Sequence, residues 1–132
     1  MGLYKFTVCY LMKVSQEQFE KELMDLLLAG DHPVLAVLRQ QYAAAKVGRR
    51  EFTGVGFWSD FEVPESAPLV EPPNFAAGSV DIQLEGVHLG AGCVLFITDG
   101  KLEQLDCYTY DDDWPEDINI KSLILIASAI PK

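Results

Sequence analysis

Hydrophobic and polar positions change their period twice along the chain, and the changes divide it into two helices followed by strands. Phe19, Leu23, Leu26 and Leu27 recur at helical spacing, with Glu17, Glu20, Lys21, Glu22 and Asp25 on the other side. Ser15 before this run, with Gln18 three residues on, forms a capping box. Val14 and Phe19 sit where a hydrophobic staple belongs, and Gly30 is the expected stop. A second helix is expected from Asp31 as its cap, with Pro33 in the first turn and Leu35, Leu38, Tyr42 and Ala45 as the buried stripe. Ahead of both, Tyr4, Phe6, Val8 and Tyr10 alternate with Lys5, Thr7 and Cys9, which favours a strand over Leu3–Met12, with a helical turn as the alternative.

From about Lys46 the period becomes two. Thr53, Val55, Phe57, Phe61 and Val63 fall on one face of an expected extended strand. Phe52, Gly54, Gly56, Trp58, Asp60 and Glu62 fall on the other. Two glycines on one strand face remove side chains there, so a helix, a bulge or a ligand must come close. Pro64 to Gly78 carries four of the seven prolines and reads as a surface loop. Ser79 to Leu89 is expected as a strand with a bulge at Gly86, where the alternation slips. Cys93 to Thr98 is apolar on both faces, as in a central strand. Asp99-Gly100 marks a hairpin, Lys101 to Tyr110 returns, and Ile118 to Ile130 supplies a last strand. The expected architecture is therefore an α+β domain: an antiparallel β-sheet of four to six strands with the two N-terminal helices packed on one face.

The length of 132 residues fits one domain over the whole chain, and a hydrophobic fraction of 49% argues against disorder. Charge changes the picture more. A net charge of −10 makes nucleic acid a poor ligand, because phosphate binding needs a basic footprint. It favours a basic protein partner. No run approaches the roughly 20 apolar residues that span a bilayer, so no membrane role is expected. The N-terminus does not read as a signal peptide. The three cysteines, Cys9, Cys93 and Cys107, are odd in number and widely spaced, which points to a reducing cytoplasmic setting. Oligomeric state is left open by the sequence, with edge joining through the last strand as one route.

Candidate chemistry concentrates near the C-terminus. Between Asp99 and Asp117 there are eight acids and one lysine. Asp111, Asp112 and Asp113 lack the alternate spacing and glycine of a calcium loop, so no metal is expected. His32 and His88 share no zinc-like spacing, and Cys93 and Cys107 lie in apolar strands. No catalytic residue and no cofactor are assigned. Arg39, Lys46, Arg49 and Arg50 gather within a dozen positions and are expected to balance acids of the same fold. The partner-binding candidates are Tyr108, Tyr110, Asp111, Asp112, Asp113, Trp114 and Glu116, an acidic loop rimmed by aromatics. A second candidate is a small-molecule pocket, or the site of an unrecognised enzyme, over Phe52, Gly54, Gly56 and Trp58, walled by Tyr108 and Tyr110.

Some of these stretches carry a resemblance. Arg50 to Phe57 (REFTGVGF), Asp60 to Pro64 (DFEVP), Gly90-Ala91-Gly92, Phe96 to Gly100 (FITDG), Tyr108 to Asp112 (YTYDD) and Trp114-Pro115 are similar to a family of small uncharacterised bacterial proteins. The resemblance runs from about Asp31 to Glu116 and follows the pattern REFTGVGF…DFxVP…GAGFxLFIxDGxIxxLEGYTYDExWP. Cys93 departs from it where an aromatic is expected, and Asp106-Cys107 where Glu-Gly is expected. Similar small acidic proteins occur as immunity proteins beside polymorphic toxins. The resemblance thus implies a non-enzymatic protein that neutralises a basic toxin.

Overall fold

The computed structural model describes residues 5–6 and 12–127. The chain forms β1 (Lys5–Phe6), β2 (Met12–Val14), α1 (Gln16–Leu27), α2 (Pro33–Ala44), β3 (Lys46–Phe52), β4 (Gly56–Glu62), β5 (Phe75–Leu84), β6 (Ala91–Thr98), β7 (Lys101–Thr109) and β8 (Ile118–Ala127). Most of the strand expected over Leu3–Met12 lies outside the described residues.

All pairings are antiparallel. The strand order is β1-β8-β5-β6-β7-β4-β3, and β2 also lies along β8. The sheet is thus seven strand positions wide, more than the four to six expected. The difference has one main cause. The period-two run after Lys46 is a hairpin, not a single extended strand. Thr53 donates its N–H to the carbonyl of Gly56 at 2.9 Å, and Gly54 takes φ +91° in the turn. The hairpin places Phe52 opposite Phe57 and Glu51 opposite Trp58. Side chains across an antiparallel pair share a face, so Phe52 and Trp58 point to opposite sides of the sheet. The slip at Gly86 likewise is not a bulge: β5 ends at Leu84, and Gly86 at φ +85° belongs to the connection to β6.

Both helices pack on one sheet face, as the periodicity predicts. Helix α1 lies against β5 and β8, and α2 against β7. Phe19, Leu23, Met24 and Leu27 of α1 and Leu35 and Leu38 of α2 meet Val80, Ile82, Leu84, Ala91, Cys93, Leu95, Ile97, Leu105, Ile120, Leu123 and Leu125 of the sheet. Burying each such large side chain contributes about 1.5–3 kcal/mol. Ser15 caps α1, its hydroxyl accepting from the Gln18 N–H at 3.1 Å. The cap of α2 is His32 rather than Asp31: its Nδ1 accepts from the Val34 N–H at 3.1 Å. The Asp99-Gly100 turn connects β6 to β7, with φ +53° and +78° at the two residues, the left-handed pair of a two-residue hairpin.

Two polar side chains are buried beneath the helices without costing an unpaired group. The Glu20 carboxylate, in a residue 6% exposed, accepts from Arg50 Nε at 2.6 Å, Arg50 Nη2 at 2.8 Å, Gln16 at 2.7 Å and the Ser59 hydroxyl at 2.9 Å. This ties α1 to β3 and β4. Gln41 of α2 donates to the carbonyls of Pro68 and Gly100 and accepts from the Leu102 N–H, locking α2 onto the β6–β7 hairpin. Strand β8 has β1 and β2 on one side and β5 on the other, so the edge expected for joining copies is occupied over Ile118–Ile120 and Leu123–Ile124.

Candidate functional site

The sheet face opposite the helices has no second layer among the described residues. Its composition follows from register. Cross-strand pairing sets Asp81, Gly92, Tyr108 and Gly56 in one row across β5, β6, β7 and β4. Ser79, Val94, Asp106, Trp58 and Glu51 make the next row, reaching β3. Phe96, Gln104, Asp60 and Arg49 make a third. Exposure is 40% for Tyr108, 52% for Tyr110 and 38% for Phe96, large for aromatic side chains on a sheet. Aromatic groups and carboxylates therefore alternate over one uncovered surface.

Tyr108 and Tyr110 pack edge to face, with ring centroids 6.0 Å apart. They fold across Gly92, where a Cβ would lie 2.9 Å from the Tyr110 hydroxyl and 3.3 Å from that of Tyr108. The glycine leaves room that a side chain would fill. The Tyr110 hydroxyl donates to Asp81 Oδ1 at 3.3 Å. Partial burial pushes the Tyr110 phenol up to about 12, and the nearby Asp81 charge and hydrogen bond add to the shift. Burial also raises the Asp106 carboxyl, and the charge of Asp60 raises it further. Arg49 lies over the Trp58 ring, its Cζ 5.2 Å from the ring centroid, and reaches Glu51 at 3.4 Å.

The acidic loop divides into parts with different tasks. Asp112 faces inward: its carboxylate accepts from the His88 N–H at 2.8 Å, and its backbone carbonyl accepts from the Thr109 hydroxyl. It joins the end of β7 to the β5–β6 connection. Asp111 and Asp113 are exposed and line a shallow depression with Val55 and Tyr110. Trp114 is pinned to the core. Its ring lies 5.4 Å from Phe57 and 5.9 Å from Phe19, centroid to centroid, and its backbone N–H donates to the Gly54 carbonyl at 2.8 Å. Glu116 sits apart from the tyrosines, on the rim of a separate cleft.

That cleft, of about 460 Å³, is lined by Val14, Ser15, Phe52, Gly54, Gly56, Trp114, Pro115, Glu116 and Ile118, among others. Phe52, Gly54 and Gly56 lie together on its wall. Trp58, Tyr108 and Tyr110 are not part of it: the hairpin turn sends Trp58 to the far face, where the β4–β7 pairing also sets Tyr108. What comes close to Gly56 is backbone: a Cβ there would meet the Cys107 carbonyl oxygen at 1.9 Å.

Sequence reasoning found Tyr108 and Tyr110 but missed Asp60, Asp81, Phe96, Asp106 and Arg49 as members of one surface. A signal existed in the alternation of Gly92, Val94 and Phe96 and of Gln104, Asp106 and Tyr108. Reading it needed the strand order. Other chemistry is muted. Cys93 and Cys107 face each other across β6 and β7, both buried. Burial, with the Cys93 hydrogen bond, holds the Cys107 thiol well above its ordinary value, and so protonated. Among the described residues no group of three or more His, Cys, Asp or Glu side chains is placed to hold a metal ion, and no helix is long and apolar enough to cross a membrane. Compared with protein-family models, curated proteins and solved structures, the chain matches none.

Proposed function

We propose that this chain is a non-enzymatic protein-binding domain that takes a basic partner on its uncovered sheet face, as an immunity protein takes a basic toxin. The observation that carries the reading is the face itself: exposed Tyr108, Tyr110 and Phe96 interleaved with Asp60, Asp81 and Asp106, on a chain of net charge −10. Aromatics supply contact area at low conformational cost, and the carboxylates steer a cationic partner and suppress acidic ones. Exposed Asp111 and Asp113 extend the same field at one end of the face. Trp114 anchors the loop and is not a contact residue in this reading.

The test is affinity capture from the native host at low salt, using the wild type, a Tyr108→Ala/Tyr110→Ala/Asp81→Lys variant and a Glu71→Lys control in the proline-rich loop. A basic protein held by wild type and control, eluted by moderate salt and lost by the triple variant supports the reading. Equal capture by all three removes it. If the captured protein is toxic when expressed alone and harmless when co-expressed with this chain, the immunity role follows.

A second reading is favoured by the cleft between Phe52, Gly54, Gly56 and Trp114, whose volume and mostly apolar lining suit a small molecule. A ligand screen read by thermal shift tests it, with Phe52→Ala expected to abolish any hit.

A further inference from the structure

The surroundings of Trp58 narrow the partner's chemistry. Register places Glu51 on one side of the ring and Asp106 on the other, and Asp60 follows two residues along the same strand. Diagonal and direct neighbours on a sheet face lie about 5–8 Å apart. Three carboxylates therefore surround one indole. A single guanidinium serves them: Arg49 stacks on the ring and reaches Glu51. Asp60 and Asp106 have no ion-pair partner and accept no side-chain hydrogen bond among the described residues.

Resting on the reading of this face as a protein-binding surface, we infer that Trp58 with Glu51, Asp60 and Asp106 is a subsite for an arginine side chain of the partner, with Arg49 seated there in the free protein. The occupant is argued from charge and shape together. The surface holds more carboxylates than cations, and the cation already present is a planar guanidinium lying over a planar ring. Arginine stacks on an aromatic face and hydrogen-bonds carboxylates at its edges at the same time, which an ammonium group does less well. An incoming arginine displaces Arg49 from the ring and reaches Asp60 and Asp106 from there.

The probe is a hexa-arginine peptide, titrated at low salt into the full chain labelled with ¹⁵N, following the Trp58 indole N–H and the backbone amides of β3, β4 and β7. Trp58 is expected to shift saturably, with hexa-lysine binding more weakly there. Asp106→Asn should weaken the interaction about three- to fivefold, as loss of one exposed cation contact does. Arg49→Ala, which empties the seat, should tighten it by a similar factor. Both substitutions are on the exposed face, and melting curves establish that the variants are folded. Saturable shifts confined to Tyr108, Tyr110 and Asp111–Asp113, or weaker binding by Arg49→Ala, overturn the Trp58 subsite while leaving the protein-binding face standing. The absence of any salt-sensitive shift on the sheet face overturns both.

Discussion

Arg49 and Arg50 are neighbours on one edge strand and meet opposite fates. Arg50 turns toward the helices and makes two short hydrogen bonds to Glu20, a carboxylate held also by Gln16 and Ser59. Arg49 turns to the uncovered face and rests on Trp58, with one long contact to Glu51. The same kind of side chain is a structural tie on one face and an exposed cover on the other. What differs is the surroundings: a low-dielectric core in which, among the described residues, every buried side-chain nitrogen and oxygen finds a partner, against a wet surface on which carboxylates outnumber their cations. The helix-covered face is saturated, and the open face is left unsatisfied. That contrast is the physical case for placing function on the open side.

The comparison breaks most sharply at Glu20. Glu20→Ala leaves Arg50 and Ser59 facing an empty buried site, and losing one partner of a buried ion pair costs about 3–5 kcal/mol. Because the Arg50 side chain is 22% exposed and can turn to solvent, the lower end is expected. Urea denaturation read by circular dichroism measures it. A loss below about 1 kcal/mol would place the pair among ordinary surface bridges. Next comes Gln41→Ala on the same covered face. It strips partners from the Gly100 and Pro68 carbonyls and the Leu102 N–H, and is expected to cost about 2–3 kcal/mol. Hydrogen exchange should accelerate at Leu102 before the rest of β7 opens.

These two residues also mark where sequence reasoning stops. Periodicity located both helices, the Ser15 cap and the Asp99-Gly100 turn, because each is decided by residues within a few positions of one another. Glu20 and Gln41 look like polar-face residues of a helix, yet their partners lie 27 to 61 positions away, at Arg50, Ser59, Pro68, Gly100 and Leu102. No local pattern encodes such a pairing. The Lys46–Val63 run failed for a different reason. Alternation alone makes Gly54 and Gly56 gaps on a strand face, whereas Gly54 at positive φ reverses the chain. One such turn swaps the faces of the strand that follows it, so Phe52 and Trp58, which share a face in an unbroken strand, lie on opposite sides. The tyrosines of the open face were legible from composition, and their neighbours only from strand order.

On the open face the expected effects shrink. Arg49→Ala removes an exposed ion pair and an exposed cation–π contact, together worth about 1 kcal/mol or less. Set against Arg50→Ala in the same denaturation series, it tests the contrast directly: similar losses at the two positions would mean that Arg49 also holds the fold together.

The smallest effect should have the opposite sign. The Asp106 carboxyl is raised by burial and by the charge of Asp60, so the folded protein holds that proton more tightly than the unfolded chain does. Between the ordinary aspartate value and the raised one, the unfolded state binds fewer protons. Stability from this group therefore falls as pH rises through that window. Near neutral pH the wild type bears an unfavourable charge that Asp106→Asn removes, so the variant should melt slightly higher. Lowering the pH toward the carboxylate range should close the gap, because the wild-type aspartate then becomes neutral as well. Glu20 cannot mimic this pattern, since it is unchanged in both proteins and cancels in the difference. A variant that is less stable than wild type near neutral pH would mean that Asp106 already has a favourable partner. The open face would then lose its claim to be unsatisfied at the position where an incoming cation is expected.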